Sequence, residues 1–326
     1  MNQRPRLAAA LSLLALSACG DPSSSEAASG ALQIAVVPKG TTHEFWKSVH
    51  AGAEAAARDL GVEVIWKGPI REDDRAEQIQ IVENFVVRGV DGIVLMPMDR
   101  KALVTPAEEA GGQGIPVVVA DSDLDWEGRT SFVATDNRRG GELAGEALAE
   151  MMGGEGSVIL LRYQVGSAST YEREEGFLEA IGKAAGIEII SSNQYAGATN
   201  EGAYQASENL LNSFKDVDGI FCPNESAAFG MLRALQDSGR TDDVAFVGFD
   251  ASDKLVEALR AGEIDALVLQ DPVRMGELSV RACVAAVRGE AVEPRIDTGV
   301  ARPIAQGQAM IRTATPLTSA IGSAGA

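Results

Sequence analysis

The chain has 326 residues, 47 of them acidic and 28 basic, for a formal net charge of −19, and 45% of its side chains are apolar. That apolar share supports one large core or two smaller ones and excludes a disordered chain, while the acidic excess repels phosphate backbones and anionic lipid, so no nucleic-acid partner is expected. With 3 cysteines and 2 histidines there is material for neither a disulfide framework nor a His/Cys zinc site, and no metal or other cofactor is expected.

In chain order, a positive start through Arg4 and Arg6 is followed by an apolar run from Leu7 to Leu16 and then by Leu16-Ser-Ala-Cys19. This is the pattern of a secretory signal over residues 1–18, too short to span a bilayer, which takes about 20 apolar residues. Its ending resembles a bacterial lipobox, which implies lipid modification at Cys19; the alternative is a soluble secreted protein cut nearby. Residues 19–30 are small and polar and read as a flexible tether.

From Ala31 onward, strand-like runs alternate with segments of helical period. The runs are Gln33–Val37, Val62–Trp66, Gly92–Met96, Pro116–Ala120, Ser131–Ala134, Val158–Leu161, Ile187–Ser191, Gly219–Cys222, Val244–Gly248 and Ala266–Leu269. Connections of 10 to 20 residues are crossovers, so the class is α/β with mainly parallel sheets. Val90-Asp-Gly-Ile93 recurs as Val217-Asp-Gly-Ile220. Each copy is followed by a helix and then by a strand ending in aspartate, at Asp121 and at Asp250. The repeat points to two lobes of like topology. In open parallel sheets ligands bind beyond the carboxyl ends of the strands, so both carboxylates are expected to line a cleft between the lobes rather than merely cap helices.

Other strand-end residues extend the candidate set. Thr41 and Glu44 have capping-box spacing that predicts a helix from about Thr42. Phe45, Val49, Ala53, Ala56 and Leu60 form the stripe that would pack on the sheet, which leaves Trp46 free to cover the apolar face of a small ring. His43 beside them is a hydrogen-bonding group or an exposed turn histidine. Arg173 offers a planar fork of donors or pairs with neighbouring glutamates. Asn224 caps a helix or reaches the ligand, and Gln270 brings an amide to a chain crossing. Asp, Asp, Asn, Gln and Arg with aromatics suit an uncharged polyol, whose hydroxyls both donate and accept. Phosphate-loop and nucleophile-elbow motifs are absent. Neither aspartate sits in an obviously apolar setting, which weighs against a glycoside hydrolase using Asp121 and Asp250. Cys222 and Cys283 lie in apolar stretches and read as buried free thiols.

The anchors Val86-Val-Arg-Gly-Val-Asp-Gly-Ile93, Ala134-Thr-Asp-Asn137, Arg173 with Gly176-Phe177, Asn224-Glu225, Val247-Gly-Phe-Asp250 and Leu269-Gln270 together resemble the periplasmic solute-binding proteins of the ribose-binding type, receptors of sugar ABC transporters. The resemblance covers Ile34 to about Thr313. It implies two lobes joined by a three-segment hinge, with crossings near Thr135, Gln270 and Thr298 to Arg302. The first lobe is then 31–135 with 271–298, the second 136–270 with 299–314, and 315–326 is a tail. It implies that Phe45 and Trp46 sandwich a sugar ring and that Asp121, Asn224, Asp250 and Gln270 bind its hydroxyls. Ser122 and Tyr171 stand where the ribose binder has arginines, His43 replaces an asparagine and Ala198 a phenylalanine, so the ligand is left open among small neutral sugars and cyclic polyols. Ala120-Asp-Ser-Asp123 is also similar to binders of the furanosyl signal autoinducer-2 and of rhamnose. The implied protein is a non-catalytic, exported, lipid-anchored monomer that serves an ABC permease of the inner membrane; the alternative is a sensor that presents ligand to a chemoreceptor or a kinase.

Overall fold

The computed structural model describes residues 30–305, with side chains to residue 301. The expected signal, Cys19 and most of the tether lie outside the described residues, as do 306–314 and the tail. Ala31 onward groups as one compact unit. Its first part holds β1 (Gln33–Val37), α1 (Glu44–Leu60), β2 (Glu63–Trp66), α2 (Arg75–Arg88), β3 (Gly92–Leu95), α3 (Val104–Gly112), β4 (Val117–Ala120) and β5 (Ser131–Ala134). Then follow α4 (Asn137–Met151), β6 (Glu155–Arg162), α5 (Ala168–Ile181), β7 (Gly186–Tyr195), α6 (Asn200–Ser213), β8 (Gly219–Phe221), α7 (Glu225–Ser238), β9 (Ala245–Phe249), α8 (Asp253–Ala261) and β10 (Ala266–Gln270). The chain closes with α9 (Pro272–Val287), β11 (Arg295–Asp297) and β12 (Val300–Ala305).

Two six-stranded sheets result, in the orders β11-β5-β4-β3-β1-β2 and β12-β10-β9-β8-β6-β7. Position by position the second order repeats the first, so the duplicated Val-Asp-Gly-Ile marks β3 and β8. All pairings are parallel except β12 on β10. Strands buried on both faces read as continuous Val/Ile runs, as in Val117–Ala120, because helices cover each side. Two apolar clusters flank the first sheet and two flank the second.

The chain moves between sheets after β5, after β10 and between β11 and β12. At these crossings the hydroxyls of Thr135 and Thr298, both buried, lie 3.2 Å apart. Arg295 donates to the carbonyls of Ala134 and Thr135 at 2.8 and 3.2 Å. Arg295-Ile-Asp297 escaped the sequence reading because three residues with two charged ends carry too little alternation to stand out. Cys222 and Cys283 are buried and free, in separate cores.

Two details of α1 differ from expectation. The helix starts at Glu44, not Thr42, because the hydroxyls of Thr41 and Thr42 donate to the carbonyls of Pro69 and Ile70 instead of capping. The buried stripe is Trp46, Val49, Ala53 and Ala56, with Phe45 half-buried beside it. Steps of three and four residues follow the helical period as well as a run of fours does, so the indole, not the phenyl ring, takes the deeper position.

Candidate functional site

Asp121 and Asp250 follow β4 and β9 directly, and among the described residues they are the non-glycine residues with positive φ, at 59° and 74°. Aspartate tolerates this left-handed region better than bulkier residues, at a cost of order 1 kcal/mol. Each backbone N–H still reaches the next strand, Asp121 to Val133 O at 3.0 Å and Asp250 to Val268 O at 2.9 Å. The turn therefore swings each carboxylate out of the pleat without breaking the ladder. Both line one small cavity of about 30 Å³ at the strand ends, with residues from both sheets around it.

The carboxylates meet different partners. Asp121 Oδ2 has the Lys39 ammonium 2.7 Å away, in a direction that is not a hydrogen bond. Lys39 donates to Ser169 Oγ at 3.0 Å. Asp250 accepts from Gln270 Nε2 at 2.7 Å and from the Glu225 N–H at 2.9 Å. Burial pushes the Asp250 carboxyl above the usual range, and the nearby Arg173 cation and the Gln270 donor oppose the rise; this corrects the expectation that neither aspartate has an apolar setting. Gln270 Oε1 is buried and accepts nothing.

Arg173 is 2% exposed and bonds no glutamate. Its Nε donates to Asn137 Oδ1 at 2.8 Å and its NH1 to Pro223 O at 2.9 Å, and its guanidinium lies 4.0 Å from the Phe249 ring centre. Burial lowers its pKa. Close helix packing sets its position, since a Cβ on Gly141 of α4 would stand 1.9 Å from the Arg173 carbonyl oxygen. Asn224 takes the capping role foreseen for it and stands at the cavity where a ligand role was expected. Its Oδ1 accepts from Ala227 N at 3.3 Å as the cap of α7, and the residue lines the cavity.

Glu72 organises the rim. It accepts from His43 Nδ1 and Trp46 Nε1, each at 2.5 Å, and from the Tyr163 hydroxyl at 2.6 Å. Burial by itself lowers the His43 pKa, but the Glu72 carboxylate, with Glu225 and Asp250 behind it, raises it to about 9. The same pairing overcomes burial at Glu72 and holds that carboxyl down at about 2.

Helix termini join the two halves of the structure. The Glu225 carboxylate accepts from the N–H groups of Glu44 and Phe45 at 3.2 and 3.0 Å, supplying the cap that α1 lacks. Glu44 in turn accepts from Asp253 N at 2.9 Å, at the start of α8. Such carboxylates are stabilised by the unpaired N–H groups and the dipole of a helix start.

Of the residues singled out in the sequence, His43, Phe45, Trp46, Asp121, Arg173, Asn224, Asp250 and Gln270 line the cavity. Ser122 and Tyr171 do not. Ser122 is buried and accepts from Ser169 N at 2.9 Å, because the turn at Asp121 points successive side chains to different sides. Tyr171 is 46% exposed, on the outer side of α5 two residues before Arg173. Sequence reasoning missed Lys39, Glu72, Tyr163, Ser169, Thr170 and Glu225. Lys39 stands two residues past β1, where a strand-end signal was available, whereas Glu72 lies within a charged run that looks like solvated surface. Among the described residues no cluster of three or more His, Cys, Asp or Glu could hold a metal ion, and no helix is long and apolar enough to cross a membrane.

Residues 34–291 match a family described as the periplasmic binding protein domain. The ribose import binding protein RbsB of Haemophilus influenzae is 31% identical over 272 residues, covering 83% of this chain and 91% of that protein. Among solved structures, the periplasmic component of an ABC-type sugar transport system from Hahella chejuensis superposes with a TM-score of 0.81 at 36% identity, covering 84% of this chain and 100% of that one. A carbohydrate transporter solute-binding protein from Agrobacterium radiobacter, in complex with D-arabinose, gives 0.82 at 33% identity, covering 85% and 95%.

Proposed function

The chain belongs to the periplasmic binding protein family, and on that premise we propose that it is the extracytoplasmic receptor of an ABC importer for a monosaccharide or small cyclic polyol. The observation that carries this reading is the pair of strand-end aspartates, one per sheet, turned into one cavity beside acceptors with unused capacity at Asp121 Oδ2 and Gln270 Oε1. Hydroxyl groups of a bound ring would donate to these oxygens and accept from Arg173, Lys39 and Asn224. Phe45 and Trp46, edge to face at 4.8 Å, supply the apolar wall that the C–H face of a sugar requires.

The cavity is small because its charged groups currently satisfy one another across the cleft. Entry of a ring then requires the lobes, 31–135 with 271–298 and 136–270 with 299–314, to part about the three crossings and close again. A permease of the inner membrane would read the closed form. The reading is of binding without catalysis: both Asp250 oxygens are held by N–H donors and the Asp121 carboxylate is paired with Lys39, so these two are not poised as the acid and base of a glycoside hydrolase. The signal and lipobox pattern supports export and a lipid anchor at Cys19, and the acidic body acts as a monomer. Presentation of the ligand to a chemoreceptor or kinase is compatible with the same cleft.

A thermal-shift screen of the purified protein against pentoses, hexoses, inositols and furanosyl compounds tests the proposal. At least one compound should raise the melting temperature in a saturable way, as any ligand that binds only the folded state must. No shift with any member would refute it.

A further inference from the structure

We propose that Glu72 is a positioning residue of the binding site: its buried carboxylate fixes the cavity-lining His43 and Trp46 of the first lobe on one oxygen and takes the Tyr163 hydroxyl of the second lobe on the other, clasping the cleft shut. The purpose of the clasp rests on the sugar-binding reading of the cavity; the clasp itself can be tested without any sugar.

The seat of this carboxylate belongs wholly to the first lobe. Its loop, between β2 and α2, is stitched to the loop after β1, where the hydroxyls of Thr41 and Thr42 donate to Pro69 O and Ile70 O at 3.2 and 3.3 Å. Gly40 lets the two loops touch, since a Cβ there would stand 2.7 Å from Glu72 Cγ. Beneath them the fully buried Gln78 donates to Pro38 O and Met96 O at 2.9 and 2.8 Å and accepts from Met98 N at 2.9 Å. The two threonines therefore serve this seat rather than the start of α1. Glu72 is 5% exposed, and a carboxylate so deeply placed needs donors. His43 Nδ1 and Trp46 Nε1 supply two, and both fall on Oε1. Oε2 is left to the second lobe.

Tyr163 fills that role. It follows β6, is 1% exposed, and donates its hydroxyl to Glu72 Oε2 at 2.6 Å. Burial and the Glu72 carboxylate push the phenol well above its usual pKa of 10, so it stays a donor. Next to it, Gln164 Nε2 donates to Glu72 O at 3.1 Å, so the second lobe holds both the side chain and the backbone of one residue. A hydrogen bond to an ionised acceptor is roughly twice as strong as one between neutral groups. Because His43 and Trp46 hang on the other oxygen of the same carboxylate, closure of the lobes and alignment of the cavity wall are coupled through one group.

The test is the distance between spin labels on Val87→Cys of α2 and Asn209→Cys of α6, exposed positions in the first and second lobes. The labels are placed in a Cys19→Ser chain, whose remaining native thiols, Cys222 and Cys283, are buried. Without sugar, the wild type should show a closed population. Tyr163→Phe, which removes one hydroxyl and little else, should lower the ratio of closed to open about tenfold. Glu72→Gln, which trades the charge for an amide, should lower it about fivefold. The double variant should match Tyr163→Phe alone, because no bond is left to weaken. Circular dichroism verifies the fold of each. A wild type with no closed population, variants with the wild-type ratio, or effects that simply multiply in the double variant would overturn the clasp. Pentoses, hexoses, inositols and furanosyl compounds are then added in turn, and at least one should draw the wild type further closed. No response to any of them would refute the sugar reading and leave the clasp standing.

Discussion

The left-handed turns at Asp121 and Asp250 place two buried carboxylates where β-strand geometry alone would not, and the neighbouring side chains respond to their charge. At the rim a third carboxylate, Glu72, outweighs the effect of burial and holds His43 above its ordinary pKa of 6.5, at about 9. The folded protein therefore keeps a proton that the unfolded chain releases between these values. The stabilisation is complete below about pH 6.5 and is lost as the pH rises through about 9, at up to about 1.4 kcal/mol per pH unit for one proton. Melting temperature should fall across that window in the wild type and fall less in His43→Gln; parallel curves would remove the pair from the stability balance. Trp46 makes a second prediction at this scale. Its indole bonds Glu72 at the cavity wall, whereas Trp66 stacks on His50 and Trp126 packs near Gly111 and Gly128. Ligand should change tryptophan emission, and Trp46→Phe should lose most of the change. A full response in that variant would contradict the placement.

At the scale of elements, the helix starts carry information that the sequence half disclosed. Thr41 and Glu44 look like a capping box, yet the cap of α1 arrives from Glu225, far away in the chain. No local pattern can announce a partner of that kind. The inner strands were legible because their β-rich runs are almost fully buried, and Asp121 and Asp250 were legible because a short repeat aligned them. Lys39 and Glu72 were not, because a lone lysine and a glutamate in Arg71-Glu-Asp-Asp-Arg75 have the same composition as solvated surface and only tertiary packing buries them. On the proposed hinge motion Glu225 also bears on closure, since its bonds to α1 span the two halves and opening the cleft would break them. Removing a helix cap costs about 1 kcal/mol, so Glu225→Ala should shift the ligand-free population toward the open form by roughly fivefold. Small-angle scattering without ligand should report a larger radius of gyration than the wild type, and an unchanged radius would show that the cap contributes nothing to closure.

For the whole molecule, two sheets of matching strand order meet at three crossings that the threonine pair and Arg295 hold together. This frame gives each sheet one aspartate at the same topological position, and both line one cavity. The account depends on both carboxylates gripping a single uncharged ring. The most direct test is titration calorimetry of the sugar that stabilises the protein best, comparing wild type with Asp250→Ala, with circular dichroism to verify the fold. Loss of a charge-assisted bond inside a closed site should cost more than about 2 kcal/mol, a weakening of about 30-fold. A folded Asp250→Ala protein that binds the sugar as tightly as the wild type would contradict the account.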